Sequence, residues 1–242
     1  KDRQVYVGDS KKGAANIFQA EAGVALEAVP KPASRISVKA LSVIPVSVGK
    51  MAWNGKDTIY AIDIEKESIV LLKNGGAAGE LKVKDLKPIA VAVDKNGALW
   101  ALDKNNLRVV KLDESGAILG SIGSKGSKKG QLDDPTDLAI ASNGDIYIAD
   151  RGNNWVQAFN SEGGFVKAIT KGMTAELDEP SAIALDPQDN LYVLDKGRNT
   201  VTAFSARGEA LAEFGKGKGE PADLVKPVAL MATHDEVFVL DT

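Results

Sequence analysis

The stretch Pro135–Asp150 reads PTDLAIASNGDIYIAD, and its pattern recurs along the chain. A leading proline is followed by an apolar run, an Asn-Gly turn, a second apolar run and a closing aspartate. Copies that begin at Pro88 and Pro180 have the same length, and the copy at Pro227 is one residue shorter. A copy without the proline spans Val48–Asp63. Because the copies return every 40 to 47 residues, the sequence predicts a repeat fold.

Each repeat predicts four short strands. Apolar runs separated by Asn-Gly or Asp-Asn turns are typical of antiparallel hairpins. A third and a fourth run follow the closing aspartate, as at residues 155–159 and 164–169. A four-stranded sheet cannot bury both faces by itself, so the repeats are expected to stack around an axis as blades of a β-propeller. The alternative is a β-sandwich, but sandwiches do not repeat their turns at fixed offsets.

The closing aspartates predict the number of blades. There are six of them: Asp9, Asp63, Asp103, Asp150, Asp195 and Asp241. We therefore expect an all-β, six-bladed β-propeller whose first and last blades are incomplete, as in a segment of a longer protein. The expected single domain, 1–242, consists of a partial blade (1–29), an irregular connector (30–47), full blades (48–87, 88–134, 135–179 and 180–226) and a partial blade (227–242).

Residues 130–159, with the Gly-rich loop Gly123–Gly130 before them, resemble an NHL repeat. That family's pattern is a Gly-rich loop, a proline, an apolar inner strand, a turn, a strand ending in Tyr-hydrophobe-Ala-Asp, then Gly-Asn and a strand ending in Phe. The resemblance implies an NHL-type propeller. The family often has an arginine five residues after the closing aspartate, and this chain keeps it as Arg108 but has Trp155 and Thr200 in the next two repeats.

Composition excludes several classes of protein. The 242 residues contain no cysteine, which excludes disulfides, thiol nucleophiles and cysteine-ligated metals. The net charge of −3 disfavours nucleic acid as a partner, and no apolar run is long enough to span a membrane. The absence of cysteine fits a periplasmic, cell-surface or secreted protein, although many cytosolic proteins also lack it.

The loops predict where a partner would bind. The turns after the closing aspartates and the long loops between blades share one face of the predicted propeller, and functional residues concentrate on such loops. The polar candidates on this face are Lys104, Asn105, Arg151, Asn153, Lys196 and Arg198. Two further candidates are Lys50 and Asp137, which occupy an inner-strand position where other repeats have alanine. Both are expected near the mouth of a central channel, where they would bind a polar ligand or else form a local ion pair.

Catalytic and metal sites are not predicted. Each closing aspartate and the asparagine after it are interpreted as turn architecture, since short polar side chains satisfy backbone N–H groups. Asp186, Asp189 and Asn190 lack the spacing of a calcium loop and are assigned to a hairpin turn. Lyases such as peptidylglycine amidating lyase use several histidines in the channel of the propeller. This chain has a single histidine, His234, so the sequence does not predict a site of that kind. No cofactor is expected.

The sequence thus favours a non-catalytic propeller that binds a protein partner or another chain of an assembly. Two alternatives stay open. One is an enzyme of lactonase or lyase type whose ligands lie outside this segment. The other is an RNA-binding module that would use the basic loop Lys125–Lys129, although this loop lacks interleaved aromatic residues.

Overall fold

A computed structural model describes residues 3–9, 14–20, 39–44, 48–74, 76–215, 224–233 and 236–241, with side chains from residue 49 onward. Contacts divide the chain into two compact units, Lys1–Lys82 and Val83–Thr242, here called unit 1 and unit 2. In the described part of the chain, the regular structure is antiparallel strand apart from one short 3-10 helix.

Unit 1 contains two sheets in which sequential strands pair. The first has three strands, β1 (Arg3–Asp9), β2 (Ala14–Ala20) and β3 (Lys39–Ile44). The second has four strands, β4 (Val48–Trp53), β5 (Thr58–Asp63), β6 (Ser68–Lys73) and β7 (Gly76–Leu81). Residues 39–44 therefore pair as a strand within the segment expected to be an irregular connector, and the rest of that connector, 30–38 and 45–47, lies outside the described residues.

Unit 2 contains three four-stranded sheets and one two-stranded sheet among its described residues. The first comprises β8 (Pro88–Val93), β9 (Leu99–Asp103), β10 (Arg108–Leu112) and β11 (Ile118–Ile122). The second comprises β12 (Pro135–Ile140), β13 (Ile146–Asp150), β14 (Trp155–Phe159) and β15 (Phe165–Ile169). The third comprises β16 (Pro180–Leu185), β17 (Leu191–Asp195), β18 (Thr200–Phe204) and β19 (Ala210–Phe214), and the last comprises β20 (Pro227–Ala232) and β21 (Val237–Asp241). The predicted all-β class and the four-stranded antiparallel sheets are confirmed.

Side-chain alternation explains how the sheets of unit 2 pack. Along β13, Ile146 and Ile148 pack with the preceding sheet, whereas Tyr147 and Ala149 pack with the following sheet. Successive side chains of a strand point to opposite faces, so one strand contributes to two cores. The second strands β9 and β13 are buried throughout, whereas most of β11 is exposed.

Hairpin turns connect the first and second strands of the four-stranded sheets of unit 2. In the turn at 94–97, Asp94 Oδ1 accepts hydrogen bonds from the N–H groups of Asn96 and Ala98 at 2.9 and 3.0 Å. Gly97 has φ +85°, a backbone conformation that favours glycine. The corresponding turn in the third sheet has Asp189 at φ +62°, which aspartate tolerates better than most residues. We call the end of the sheets that carries these turns the turn face.

Candidate functional site

The closing aspartates hold the loops that lead into their own sheets. Asp150 is fully buried at the end of β13, and its Oδ1 accepts hydrogen bonds from the N–H groups of Asp133 and Asp134 at 3.1 and 3.0 Å. Asp103 Oδ1 accepts in the same way from Lys87 N at 3.2 Å. A buried carboxylate requires such donors because it has lost its hydration. The turns after these aspartates and the lead-in loops 83–87, 123–134 and 170–179 therefore lie together, and we call them the loop face.

Asn153 joins two parts of the loop face. Its Nδ2 donates to Asp150 Oδ2 at 2.7 Å and to the carbonyl oxygen of Gly126 at 3.0 Å, so it links the turn to the lead-in loop. Asn105 differs, because its backbone N–H binds Asp103 Oδ1 while its side chain is exposed. Of these two predicted binding residues, Asn153 is a local brace and Asn105 is available on the surface.

Lys104 and Arg151 converge on a third residue, Asp134. Lys104 Nζ pairs with Asp134 Oδ1, and Arg151 approaches Asp134 Oδ2 with Nε at 2.7 Å and Nη2 at 2.6 Å. Burial raises the pKa of Asp134, but the hydrogen bonds from Lys104 and Arg151 outweigh it, so the pKa lies below its ordinary value. Lys104 follows β9 whereas Asp134 precedes β12, so the cluster ties two neighbouring sheets.

A second cluster anchors the lead-in loop 170–179. Glu213 Oε1 accepts a hydrogen bond from Thr174 Oγ1 at 2.5 Å, and Glu213 Oε2 accepts one from Met173 N at 3.1 Å. Arg198 Nη2 donates to Thr174 Oγ1 at 3.2 Å and lies 4.0 Å from Glu213 Oε1. Burial raises the pKa of Glu213, but hydrogen bonds led by those from Thr174 outweigh burial and lower it. Lys196 in the same turn is exposed.

Gln157 is a loop anchor that the sequence analysis missed. It is fully buried in β14, where its Oε1 accepts from Gly130 N at 2.9 Å and its Nε2 donates to the carbonyl oxygen of Gln131 at 2.6 Å. Asp134 and Glu213 were missed as well. The sequence carries a signal for Gln157, because an amide side chain interrupts an otherwise apolar strand. It carries none for Asp134 and Glu213, because their hydrogen-bond partners are distant in the sequence.

The two inner-strand candidates lie in different units and are described separately. Asp137 in β12 is buried, with Oδ1 accepting from Leu138 N and Oδ2 from Ile183 N, both at 2.9 Å. Because Ile183 lies in β16, Asp137 connects two sheets of unit 2. Lys50 lies half-buried in β4 of unit 1. Their shared position at a channel mouth stays a prediction.

The remaining candidates are placed as follows. Asp186 Oδ1 accepts hydrogen bonds from the N–H groups of Gln188 and Asn190, as expected for a hairpin turn. Asp189 binds Ser142 of the neighbouring turn, accepting from its N–H at 2.8 Å. Within the described residues there is no group of three or more His, Asp or Glu side chains arranged to hold a metal ion. His234 lies outside the described residues. None of the helices described is long and apolar enough to span a membrane.

The comparison with protein families finds one match, a model described as NHL repeat, over residues 132–159. Among curated proteins, a probable peptidyl-alpha-hydroxyglycine alpha-amidating lyase from Caenorhabditis elegans is 32% identical over 87 residues. This match covers 34% of the chain and 25% of the worm protein. The chain therefore spans about a quarter of the length of that relative.

Two solved structures share the fold at low sequence identity. One, determined as a nidogen–laminin complex, has a TM-score of 0.73 at 16% identity and covers 100% of this chain and 86% of that one. The other, a catalytically inactive histidine-to-alanine variant of virginiamycin B lyase from Staphylococcus aureus with quinupristin, has a TM-score of 0.64 at 16% identity, with coverage of 100% and 82%. The predicted resemblance is thus confirmed: the chain has a β-propeller fold and contains an NHL repeat.

Proposed function

We propose that the chain is a β-propeller binding module that docks a protein partner on its loop face. The observation that carries this proposal is the way the loop face is built. The buried Asp150 and Gln157 and the half-buried Glu213 fix the loops, while Asn105 and Lys196 remain exposed beside them. A surface whose loops are held in place before binding loses less conformational entropy when it binds.

The comparisons support this proposal at the level of fold. One similar structure is that of a complex between two proteins, nidogen and laminin. We further propose that the six sheets are blades of a six-bladed propeller and that the protein works in the periplasm, at the cell surface or outside the cell. The structural anchors also revise the expected docking residues, because Arg151 and Arg198 each engage a carboxylate and a partner would have to compete for them.

The test uses a photo-cross-linking amino acid at single positions of the whole chain. Introduced at Asn105 or Lys196, it is expected to capture a partner from an extract of the source organism, and the same partner from both positions. The matched control is Lys95, which is exposed on the turn face. Capture of that partner from position 95 alone would contradict the proposal.

A second candidate function, a lyase, is favoured by the likeness to the worm protein. The identity of 32% over 87 residues is higher than for either solved structure, but the match covers only a quarter of that protein. The test is to incubate the chain with a peptidyl-α-hydroxyglycine and follow release of the amidated peptide. We expect no turnover, and turnover abolished by His234→Ala would favour the lyase instead.

The purified chain can also be tested for an RNA-binding role. In the basic loop, Lys129 Nζ lies 5.9 Å from the centroid of the Phe165 ring, while Lys125 and Lys128 are exposed. Salt-sensitive binding of an oligonucleotide that weakens in Lys125→Ala would support RNA over a protein partner.

A further inference from the structure

The carboxylates of Asp103 and Asp150 receive side-chain hydrogen bonds at fixed positions. Asp103 Oδ2 accepts from Asn106 Nδ2 at 2.8 Å and from Arg108 Nε at 3.2 Å. Asp150 Oδ2 accepts from an asparagine at the same first position and from a tryptophan at the second, at 2.7 and 2.9 Å. These donors lie three and five residues after the aspartate, so the two sheets share the same arrangement.

Asp195 has lost both side-chain donors. Arg198 stands where the repeats of Asp103 and Asp150 have asparagine, and its guanidinium turns away to Thr174 and Glu213. Thr200 stands at the second position. In the described structure, the hydrogen bonds to Asp195 come from backbone N–H groups alone, from Asp178 to Oδ2 at 2.7 Å and from Arg198 to Oδ1 at 3.1 Å.

Thr200 carries an unused acceptor beside this carboxyl group. It pairs directly with Asp195 across strands β17 and β18 and is 2% exposed. Among the buried side-chain polar atoms of the described residues, Thr200 Oγ1 is the one without a hydrogen-bond partner. A buried polar atom without a partner costs about 1–3 kcal/mol, so the fold gains stability if the Thr200 hydroxyl forms a hydrogen bond with the neighbouring carboxyl group.

We propose that Asp195 and Thr200 form a proton-binding site that sets how firmly the lead-in loop 170–179 is held. When neutral, the Asp195 carboxyl donates its O–H to Thr200 Oγ1, which a rotation of the threonine side chain brings into line. A neutral carboxyl accepts hydrogen bonds more weakly than a carboxylate. Its bond from Asp178 N therefore weakens, and the loop loosens at that end.

The surrounding charges agree with proton binding near neutral pH. Burial is the main cause that raises the pKa of Asp195 to about 6, and the negative charge of Asp178 in the lead-in loop adds to it. The backbone hydrogen bonds from Asp178 and Arg198 and the positive charge of Arg198 act in the opposite direction. Lys196, in the same turn as Arg198, is exposed. An effect of the loosened loop on partner docking rests on the proposed function. Proton binding at Asp195 does not depend on that function.

The test is a carboxyl carbon-13 NMR titration of the whole chain between pH 4 and 8, with Asp195→Asn to assign the signal. We expect a midpoint near pH 6. The Asp178 amide should also exchange with solvent several-fold faster below that midpoint, after correction for the intrinsic pH dependence. A midpoint at an ordinary carboxyl value, or exchange of Asp178 that does not follow the titration, would overturn the proposal.

Two variants test the origin of the site. Arg198→Asn restores the donor found at Asn106, and we expect the midpoint to fall by one pH unit or more. Thr200→Val keeps the side-chain shape but removes the acceptor for the proton, so the midpoint should also fall. If neither variant moves the midpoint, the missing donors and Thr200 do not make the site. If the titration and the variants behave as expected but no partner docks on the loop face, the result counts against the proposed function alone.

Discussion

At the scale of single residues, the loop face depends on buried carboxylates that accept hydrogen bonds from backbone N–H groups. Asp103, Asp150 and Asp195 are each fully buried, and each binds the loop that leads into its sheet. This gives the aspartate a structural reason to recur in these three repeats. The side-chain donors that accompany it vary, and this variation distinguishes one turn from the next.

Replacing Asn153 by alanine should destabilise unit 2. The change removes the bonds from its Nδ2 to Asp150 Oδ2 and to the carbonyl of Gly126, and a lost hydrogen bond to a charged group costs about 1.5–3 kcal/mol. Asn105→Ala is the matched control, because that side chain is exposed, and it should change the free energy of unfolding by less than about 0.5 kcal/mol. Equal effects in urea denaturation would refute the bracing role of Asn153.

The titration of Asp195 predicts a pH dependence with a definite sign. Its pKa in the folded chain is about 6, above the ordinary 3.8, so the folded state binds the proton more tightly than the unfolded state. Asp195 therefore contributes stability that is complete below about pH 3.8 and is lost as the pH rises through 6. The loss amounts to about 3 kcal/mol at most.

The measurement compares the free energy of unfolding of the native chain and of Asp195→Asn at pH 4.5 and pH 7. Other carboxylates titrate in both proteins, so the difference between the two profiles isolates Asp195. We expect the native chain to lose about 2 kcal/mol more than the variant over this interval. Parallel profiles would show that Asp195 does not titrate there.

The residues that the sequence analysis selected for binding differ in their contacts, and their role in binding stays a prediction. Asn105 and Lys196 are exposed as expected for binding residues, whereas Arg198 turns to Thr174 and Glu213. Both partners of Arg198 are distant from it in the sequence: Thr174 is in the lead-in loop and Glu213 is on the last strand of the sheet. A local sequence pattern does not indicate contacts of this kind. The sequence shows Thr200 where the NHL family often has arginine. That the Thr200 hydroxyl has no hydrogen-bond partner in the described structure is visible only from the positions of its neighbours.

At the scale of elements, alternating apolar runs and turn residues determine the strands. The third and fourth strands of the sheets in unit 2 lie within one residue of the predicted runs, as at β14 (Trp155–Phe159) and β15 (Phe165–Ile169), because Gly and Asn turns bound them. Strand β3 (Lys39–Ile44) was not predicted, since the segment around it carries no repeat pattern. The conformations of the lead-in loops were not predicted, because hydrogen bonds to residues distant in the sequence determine them.

Asp137 should stabilise the contact between two sheets. Its Oδ2 accepts from Ile183 N in the next sheet, and Asp137→Ala would leave that buried N–H without a partner. We expect a loss of about 1–3 kcal/mol in the free energy of unfolding. Asp137→Asn keeps an acceptor oxygen and should lose less. If alanine and asparagine were equally harmless by urea denaturation, Asp137 would not join the sheets.

At the scale of the whole molecule, the repeat gives each four-stranded sheet of unit 2 the same two ends. The turn face carries short hairpins, whereas the loop face carries the longer and more varied loops with their buried anchors. Lys196 and Lys95 have the same charge and are both exposed, but they lie on opposite faces. They therefore form a matched pair, and a partner that docks on one face responds to only one of them.

The most direct test measures the association rate of the cross-linked partner, once purified, with Lys196→Glu and Lys95→Glu chains at low salt. Charge reversal near an interface changes mainly the association rate, and surface changes of this kind shift stability by less than about 0.5 kcal/mol. The account predicts a several-fold slower association for Lys196→Glu and no change for Lys95→Glu. Slower association for Lys95→Glu, with Lys196→Glu unaffected, would contradict docking on the loop face.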